Sequence, residues 1–458
     1  MIASTNQGNR QLIVAGMVGA VVGVAIGVAG GADVASPVVV LAGLGLVIFG
    51  WLIWMIRREG WDWLAPPTLF VIATVFYYMV RPGSLLLGMQ PIGQTTTRHM
   101  NAALGLVFLS VVGFSWGYKL RGTTIIAKWL PRVPSGWQRR RAAVTIGALW
   151  IGGTVCWGLL IWQSGGVGAR WAGYAHGLVA GKDVLVVLSA AMLTMALVLS
   201  WAQYLKGRFS RPAAIALVAT TMPLLAMHGQ RSALIIPILM GVAIYHYQCR
   251  RLRLKSLAIV GIAVMMIFVG LGLPRLQFLP GPAGRPHLMT YGRVAGWFLM
   301  RNLTSFDALM MAKGRIPEDL DYQWGRGYVD ALVMMIPRGL YPDKPERNLF
   351  NRALRPGRTT SMALPVPGEG YLNFGWGGVL LESVLLGLIC RVVYAYRQQY
   401  PNNEGALLTY AFFFAFFVVI FRGGLMGGHI GLLAVCLALI AAVSIFCSQG
   451  RLLIRIRA

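Results

Sequence analysis

Apolar runs of about twenty residues recur along this chain, and they leave it few ways to fold. Each is long enough to cross a hydrocarbon layer of roughly 30 Å as a helix. Within such a layer only helices and closed barrels satisfy their own backbone groups. Twelve candidates stand out: 11–30, 36–56, 64–80, 101–120, 142–163, 183–204, 212–228, 232–248, 256–273, 372–395, 406–422 and 429–447. The chain is 57% hydrophobic and only 12% charged, with mean hydropathy +0.65, which is poorer in charge than a soluble domain. The expected fold is an all-α polytopic membrane protein, one integral domain over residues 1–458 with no soluble catalytic domain attached. The first run precedes Ala32-Asp33-Val34-Ala35, which looks like a cleavage site. That run is longer than a signal-peptide core and follows one charge, Arg10, so it reads as a retained helix.

A net charge of +27 raises the question of nucleic acid, and the placement of the charge argues against it. Alternate connections hold 22 of the 41 Lys and Arg, including Arg57 and Arg58, the Lys119–Arg141 stretch and Arg250–Lys255. The short intervening connections hold six: Arg81, Arg98, Arg170, Lys182, Arg231 and Arg422. This alternation is the positive-inside pattern. It puts both termini in the cytoplasm and the remaining long connection outside. Headgroup anchoring by snorkelling is the plain reading of Arg81, Arg98 and Arg170.

That long connection, residues 274–370, is the polar exception: 97 residues with 8 of the 14 carboxylates. Spanning a bilayer needs no such loop, so it points to work done at one membrane face. Apolar residues at helical spacing predict a helix over 289–312, and a second, shorter one over Tyr328–Met335. Pro337, Pro342 and Pro345 predict a rigid turn, and Pro365 and Pro367 a break before the chain returns to the membrane at Glu369.

Chemistry-bearing residues are few. Five scattered cysteines form no CxxC pair, and six histidines lack a ligand spacing such as HExxH, so no protein-built metal site is expected. No Walker loop and no DxD pair occur, which disfavours ATP-driven pumping and nucleotide-sugar chemistry. Outward arginines near membrane depth are the stronger signal, because charge there is costly. Arg231, Arg338 and Arg422 each stand beside Gly or Pro, and with Lys344 they suit an anion such as a lipid diphosphate. Asp307 and Glu369 are the candidate general bases, each with the competing role of pairing an arginine. His228 and His429 are further candidates, and so are Arg293 and Arg301, which interleave the apolar face of the first loop helix. Tyr341 can stack on a sugar ring or belong to an interfacial belt.

Five runs together resemble a known family. His228-Gly-Gln-Arg231 is similar to the Gly-x-Arg that opens a span in Wzy-type polysaccharide polymerases. Arg301 through Asp307 resembles their arginine-then-acid loop helix, and Pro337-Arg338 through Lys344-Pro345 their proline turn. Glu369-Gly-Tyr-Leu-Asn-Phe-Gly375 resembles the re-entering run, and Phe421-Arg422-Gly-Gly-Leu the late arginine motif. The resemblance covers 228–428. It implies a GT-C-like inner-membrane polymerase of O-antigen, enterobacterial common antigen or exopolysaccharide repeat units. It implies an undecaprenyl-diphosphate-linked oligosaccharide as substrate, no cofactor and no metal, and a chain-length regulator as partner. Carried over, Arg231, Arg338, Lys344 and Arg422 would bind diphosphate, with Arg301 beside them, and Asp307 or Glu369 would activate the acceptor hydroxyl. Two alternatives stay open. An O-antigen ligase would carry a His-Asn/Ser/Gln motif in the loop, whereas here Leu288 follows His287. A transporter or flippase of lipid-linked sugars would need less of an outer loop.

Overall fold

The computed structural model describes residues 37–59, 62–88, 99–120, 122–131, 133–170, 183–228, 232–270, 303–333, 336, 341, 364–426 and 429–448. Fourteen helices are used below: α1 Pro37–Glu59, α2 Pro66–Leu86, α3 Met100–Lys119, α4 Thr123–Trp129, α5 Arg139–Gln163, α6 Asp183–Leu205, α7 Arg211–Met227, α8 Ser232–Gln248, α9 Leu254–Gly270, α10 Ser305–Arg315, α11 Arg326–Val333, α12 Val366–Gln399, α13 Glu404–Gly423 and α14 His429–Cys447. Among the described residues the only β pairing is the isolated Trp137–Ser448 bridge. Seven of the described helices are long and apolar enough to cross a membrane: α2, α3, α5, α6, α12, α13 and α14. Four more, α1, α7, α8 and α9, carry apolar stretches of 10–17 residues. Eleven of the twelve predicted runs are thus helices within a few residues of their expected ends. The run 11–30 lies outside the described residues.

Small residues let the helices approach. α3 packs along α12 more extensively than any other pair, at the Gly113-Phe-Ser-Trp-Gly117 stretch. A Cβ on Gly113 would meet the Leu380 carbonyl at 2.9 Å, and one on Gly117 would overlap the Val384 carbonyl. Gly387 on α12 faces the Phe114 carbonyl in the same way. Two glycines four apart on a helix face are the usual means of close helix contact in lipid, where burial of apolar surface drives little. The Ser110 and Ser383 hydroxyls, 2.9 Å apart, add a hydrogen bond within this contact.

α12 differs from its sequence expectation. It begins at Val366, not 372, and Pro367 lies in its first turn, where a missing N–H costs nothing. Its regular backbone fails once, at Phe374 (φ −141°, ψ 23°) and Gly375 (φ 63°, ψ −148°). The first half then folds against the second through Gly370 and Gly378, whose backbones leave no room for a Cβ on either. Residues 366–373 are therefore a short re-entrant helix and 376–399 the true crossing.

Polar connections gather at two ends of the bundle. At one, Lys206 Nζ reaches Glu404 Oε1 at 2.6 Å, Arg208 Nη1 donates to the Trp137 carbonyl, and Gln138 N donates to Cys447 O. At the other lie α10, the start of α12 and the end of α13. The six linkers 120–138, 206–210, 249–253, 400–403, 448 and 62–65 fall at the first end, as alternating crossings require.

Candidate site at the end of the bundle

Beneath the site sits an aromatic stack. Phe70 and Phe114 overlap with ring centroids 3.8 Å apart, and Phe421 meets Phe70 edge-on at 5.2 Å. α2 widens into a π turn over Val75–Met79, which brings the Tyr78 hydroxyl to the Phe421 carbonyl at 2.7 Å. The end of α13 is held from a second side by Ser305, whose hydroxyl donates to the Arg422 carbonyl at 3.2 Å. Arg422 lies near enough to the Tyr77 phenol to act on it electrostatically.

Asp307 stands in the first turn of α10, where a negative charge complements the helix dipole. Both of its oxygens are engaged by Arg81: Nε–Oδ2 is 2.7 Å and Nη2–Oδ1 is 3.2 Å. Side-chain exposure is 2% for Arg81 and 0% for Asp307, so this is a buried, two-pronged pair, the geometry in which guanidinium binds carboxylate most strongly. Ser84 lies 3.4 Å from Arg81 Nη1. Arg81 is thus no headgroup anchor. Its side chain turns into the protein, and the loop helix docks on it.

Glu369 is likewise committed. Its Oε2 accepts from Leu425 N at 2.6 Å and its Oε1 from Met426 N at 2.8 Å. Those amides follow the end of α13, where the chain turns at Gly424 with φ +68°. A Cβ at Gly424 would sit on the Glu369 carboxylate, so glycine is needed both for the turn and for the approach. His429 Nδ1, at the start of α14, lies 2.8 Å from the Gly424 carbonyl. The re-entering run and the late arginine run of the sequence are therefore one assembly.

The break in α12 leaves the carbonyls that end its first half without helical donors. The loop supplies them: Gln323 N donates to Leu372 O and Trp324 N to Asn373 O, both at 3.0 Å. Gly325 N donates to Asn373 Oδ1 at 3.2 Å. Trp324 adopts a left-handed φ of 49° to do so. Asn373 Nδ2 donates to the Glu369 carbonyl at 2.9 Å. The neighbouring helix α11 presents Tyr328 to this region. Burial pushes the Tyr328 phenol above its ordinary value, and the charges of Glu382 and Glu369 push it further, with Asn373 acting in the opposite sense.

Glu382 went unremarked in the sequence. It is the lone carboxylate of the crossing half of α12, and a single acid inside an apolar run is the signal that finds it. Arg81 carried the same signal in α2. His228, at the end of α7, is buried with Ser189 Oγ 3.4 Å from Nε2, on a different flank of the bundle from Glu369. Tyr341 is exposed at 43%. Arg231, Arg293, Arg301, Arg338 and Lys344 lie outside the described residues, as does the predicted helix before 303. The described part of it runs from Ser305 to Arg315, and the second loop helix from Arg326 to Val333. Among the described residues no three His, Cys, Asp or Glu side chains gather as a metal site would require. Comparison with protein-family models, with curated proteins and with solved structures gave no match.

Proposed function

We propose that this chain polymerises lipid-linked oligosaccharide repeat units. It passes the growing glycan from undecaprenyl diphosphate to a new lipid-linked unit, with no metal, at the periplasmic face of a bacterial inner membrane. The single observation that carries the reading is the Glu369 clasp on Leu425 and Met426. It joins two of the runs on which the Wzy-type resemblance rests, and the Arg81–Asp307 pair brings a third beside them. Five runs spread over two hundred residues have no reason to converge if the likeness is one of hydropathy alone.

In this reading Arg422, Arg231, Arg338 and Lys344 hold the diphosphate and offset the charge of the departing lipid, an electrostatic role. Arg301 supports them. Glu369 fixes the turn that aims Arg422, and Asp307 fixes the loop helix on Arg81. Either carboxylate activates the acceptor hydroxyl only when its present contacts open. Eleven apolar helices and the 11–30 run make twelve crossings, with both termini cytoplasmic and a chain-length regulator as partner.

The test is direct. Purified protein is incubated with a synthetic lipid-diphosphate repeat unit and the products are resolved by length. A ladder is expected, lost in Arg231→Ala and Arg422→Ala at unchanged protein yield. Transfer to lipid A core with no ladder would make the protein a ligase instead. One observation favours a second reading: broken helices with charged groups at the break are the usual site architecture of transporters. Movement of the lipid-linked unit across vesicle membranes, with no ladder, would establish that reading.

A further inference from the structure

Glu369 and Glu382 meet where the two halves of α12 fold together. Glu382 follows Gly378 by one helical turn, and Glu369 precedes Gly370. The Gly370–Gly378 contact allows backbone against backbone, so the two carboxylates come close enough to act on each other's charge. Glu369 is satisfied by two amides. Glu382 is not: both of its oxygens are sealed from solvent, and neither has a hydrogen-bond partner of good geometry. Tyr328 faces it from α11, and Tyr78 feels both charges from α2. α3 contributes only the neutral Ser110 hydroxyl, bonded to Ser383. Among the described residues no Lys or Arg makes an ion pair with either glutamate. Asp307 on α10 is taken by Arg81, His429 Nδ1 is at the Gly424 carbonyl, and Arg422 lies toward Tyr77.

Two like charges in a dry site are unfavourable unless something positive joins them. The surroundings offer carboxylate oxygens, a phenol and the carbonyls of a broken helix, all oxygen ligands. We infer that Glu369 and Glu382 form a site for one monovalent cation, a proton or a sodium ion, which holds the re-entrant half of α12 against its crossing half. The site is independent of which reaction the protein performs. Loss of the cation would loosen the fold at Phe374–Gly375 and, through Glu369, the turn that carries Arg422.

The experiment measures thermal unfolding of the full chain in lipid nanodiscs. Sodium chloride is exchanged for choline chloride at constant ionic strength, at a series of pH values from acid to alkaline. If sodium binds, it raises the unfolding temperature at alkaline pH and does nothing at acid pH, where a proton takes its place. If only the proton binds, the unfolding temperature rises with acidity and ignores sodium. In both cases Glu382→Gln, which keeps the shape and removes one charge, is insensitive to both titrants. Equal responses in wild type and Glu382→Gln would overturn the proposal. Infrared spectra of the wild type guard against a variant that fails to fold. A protonated-carboxyl stretch without sodium, shifted or lost with it, is expected. Its absence together with a sodium-independent unfolding temperature would overturn the site without any variant.

Discussion

At the scale of single residues, the Arg81–Asp307 pair shows what burial does to a charge. Neither side chain reaches solvent, so each depends on the other for its compensation. Removing one partner of such a pair costs about 3–5 kcal/mol, because the survivor stays buried and charged. Arg81→Leu and Asp307→Leu are each expected to destabilise the protein by that order, and the double variant by less than either. Denaturant unfolding of the three variants checks this, and additive losses would mean that the two side chains do not compensate each other. Asp307 could be singled out from sequence because carboxylates are scarce here, one of 14. Its partner could not. Arg81 lies 226 residues away, and no spacing rule reaches between helices. The same limit hid Glu382's link to Glu369. Both residues were visible, but their meeting depends on a fold in α12 that only the backbone reveals.

At the scale of elements, most of what the sequence offered concerned length. Eleven apolar runs became helices because the bilayer sets one length for each, and hydropathy measures that length well. What hydropathy misses is a break inside a continuous run. Residues 366–399 read as one span, yet Gly375 takes a left-handed φ that a helix forbids. The loop residues 323–325 stabilise the break only by long-range pairing. Helix contacts are a second blind spot, although here a local signal existed. Gly113 and Gly117 are four apart, and both press on α12 backbone. Gly117→Leu is therefore expected to force α3 from α12 and destabilise by about 1–3 kcal/mol, the usual cost of overpacking or more. Gly147 on α5 makes the control, since a Cβ there meets nothing within 4 Å. Gly147→Ala should be neutral or stabilising by up to about 1 kcal/mol, as alanine favours helix over glycine. Unfolding temperatures of the pair decide it, and similar responses at both positions would show that the α3–α12 contact is not tight.

At the scale of the whole molecule, the bundle is stapled at both ends, and the end opposite Glu369 has its own buried acid. Asp62 lies between α1 and α2 and is 6% exposed. It accepts from the Tyr247 hydroxyl at 2.8 Å, the Tyr394 hydroxyl at 2.9 Å and Leu64 N at 3.1 Å. Tyr410 reaches the same loop through the Leu64 carbonyl at 2.5 Å, and Arg397 stacks over the Tyr247 ring at 5.4 Å. His246 Nδ1 accepts from Leu252 N, so its proton sits on Nε2, 3.2 Å from Asp62 Oδ1. One carboxylate thus ties the loop before α2 to α8 and α12, with α13 alongside. Burial alone would raise its pKa, but the contacts from His246, Tyr247 and Tyr394 outweigh burial and hold it below the ordinary value of 3.8. A carboxyl whose folded pKa is depressed adds stability above its unfolded pKa and loses it as pH falls through the folded one. The wild type should therefore lose stability as pH drops below about 4, with the four elements separating together. Asp62→Asn removes the titrating group. It should be less stable at neutral pH by about 2 kcal/mol, as expected for hydrogen bonds to a charged acceptor, and should show a smaller acid-dependent loss. Unfolding followed by tyrosine fluorescence from pH 7 downward tests both halves. Parallel pH profiles for the two proteins would remove Asp62 from the staple and leave the tyrosine contacts as packing alone.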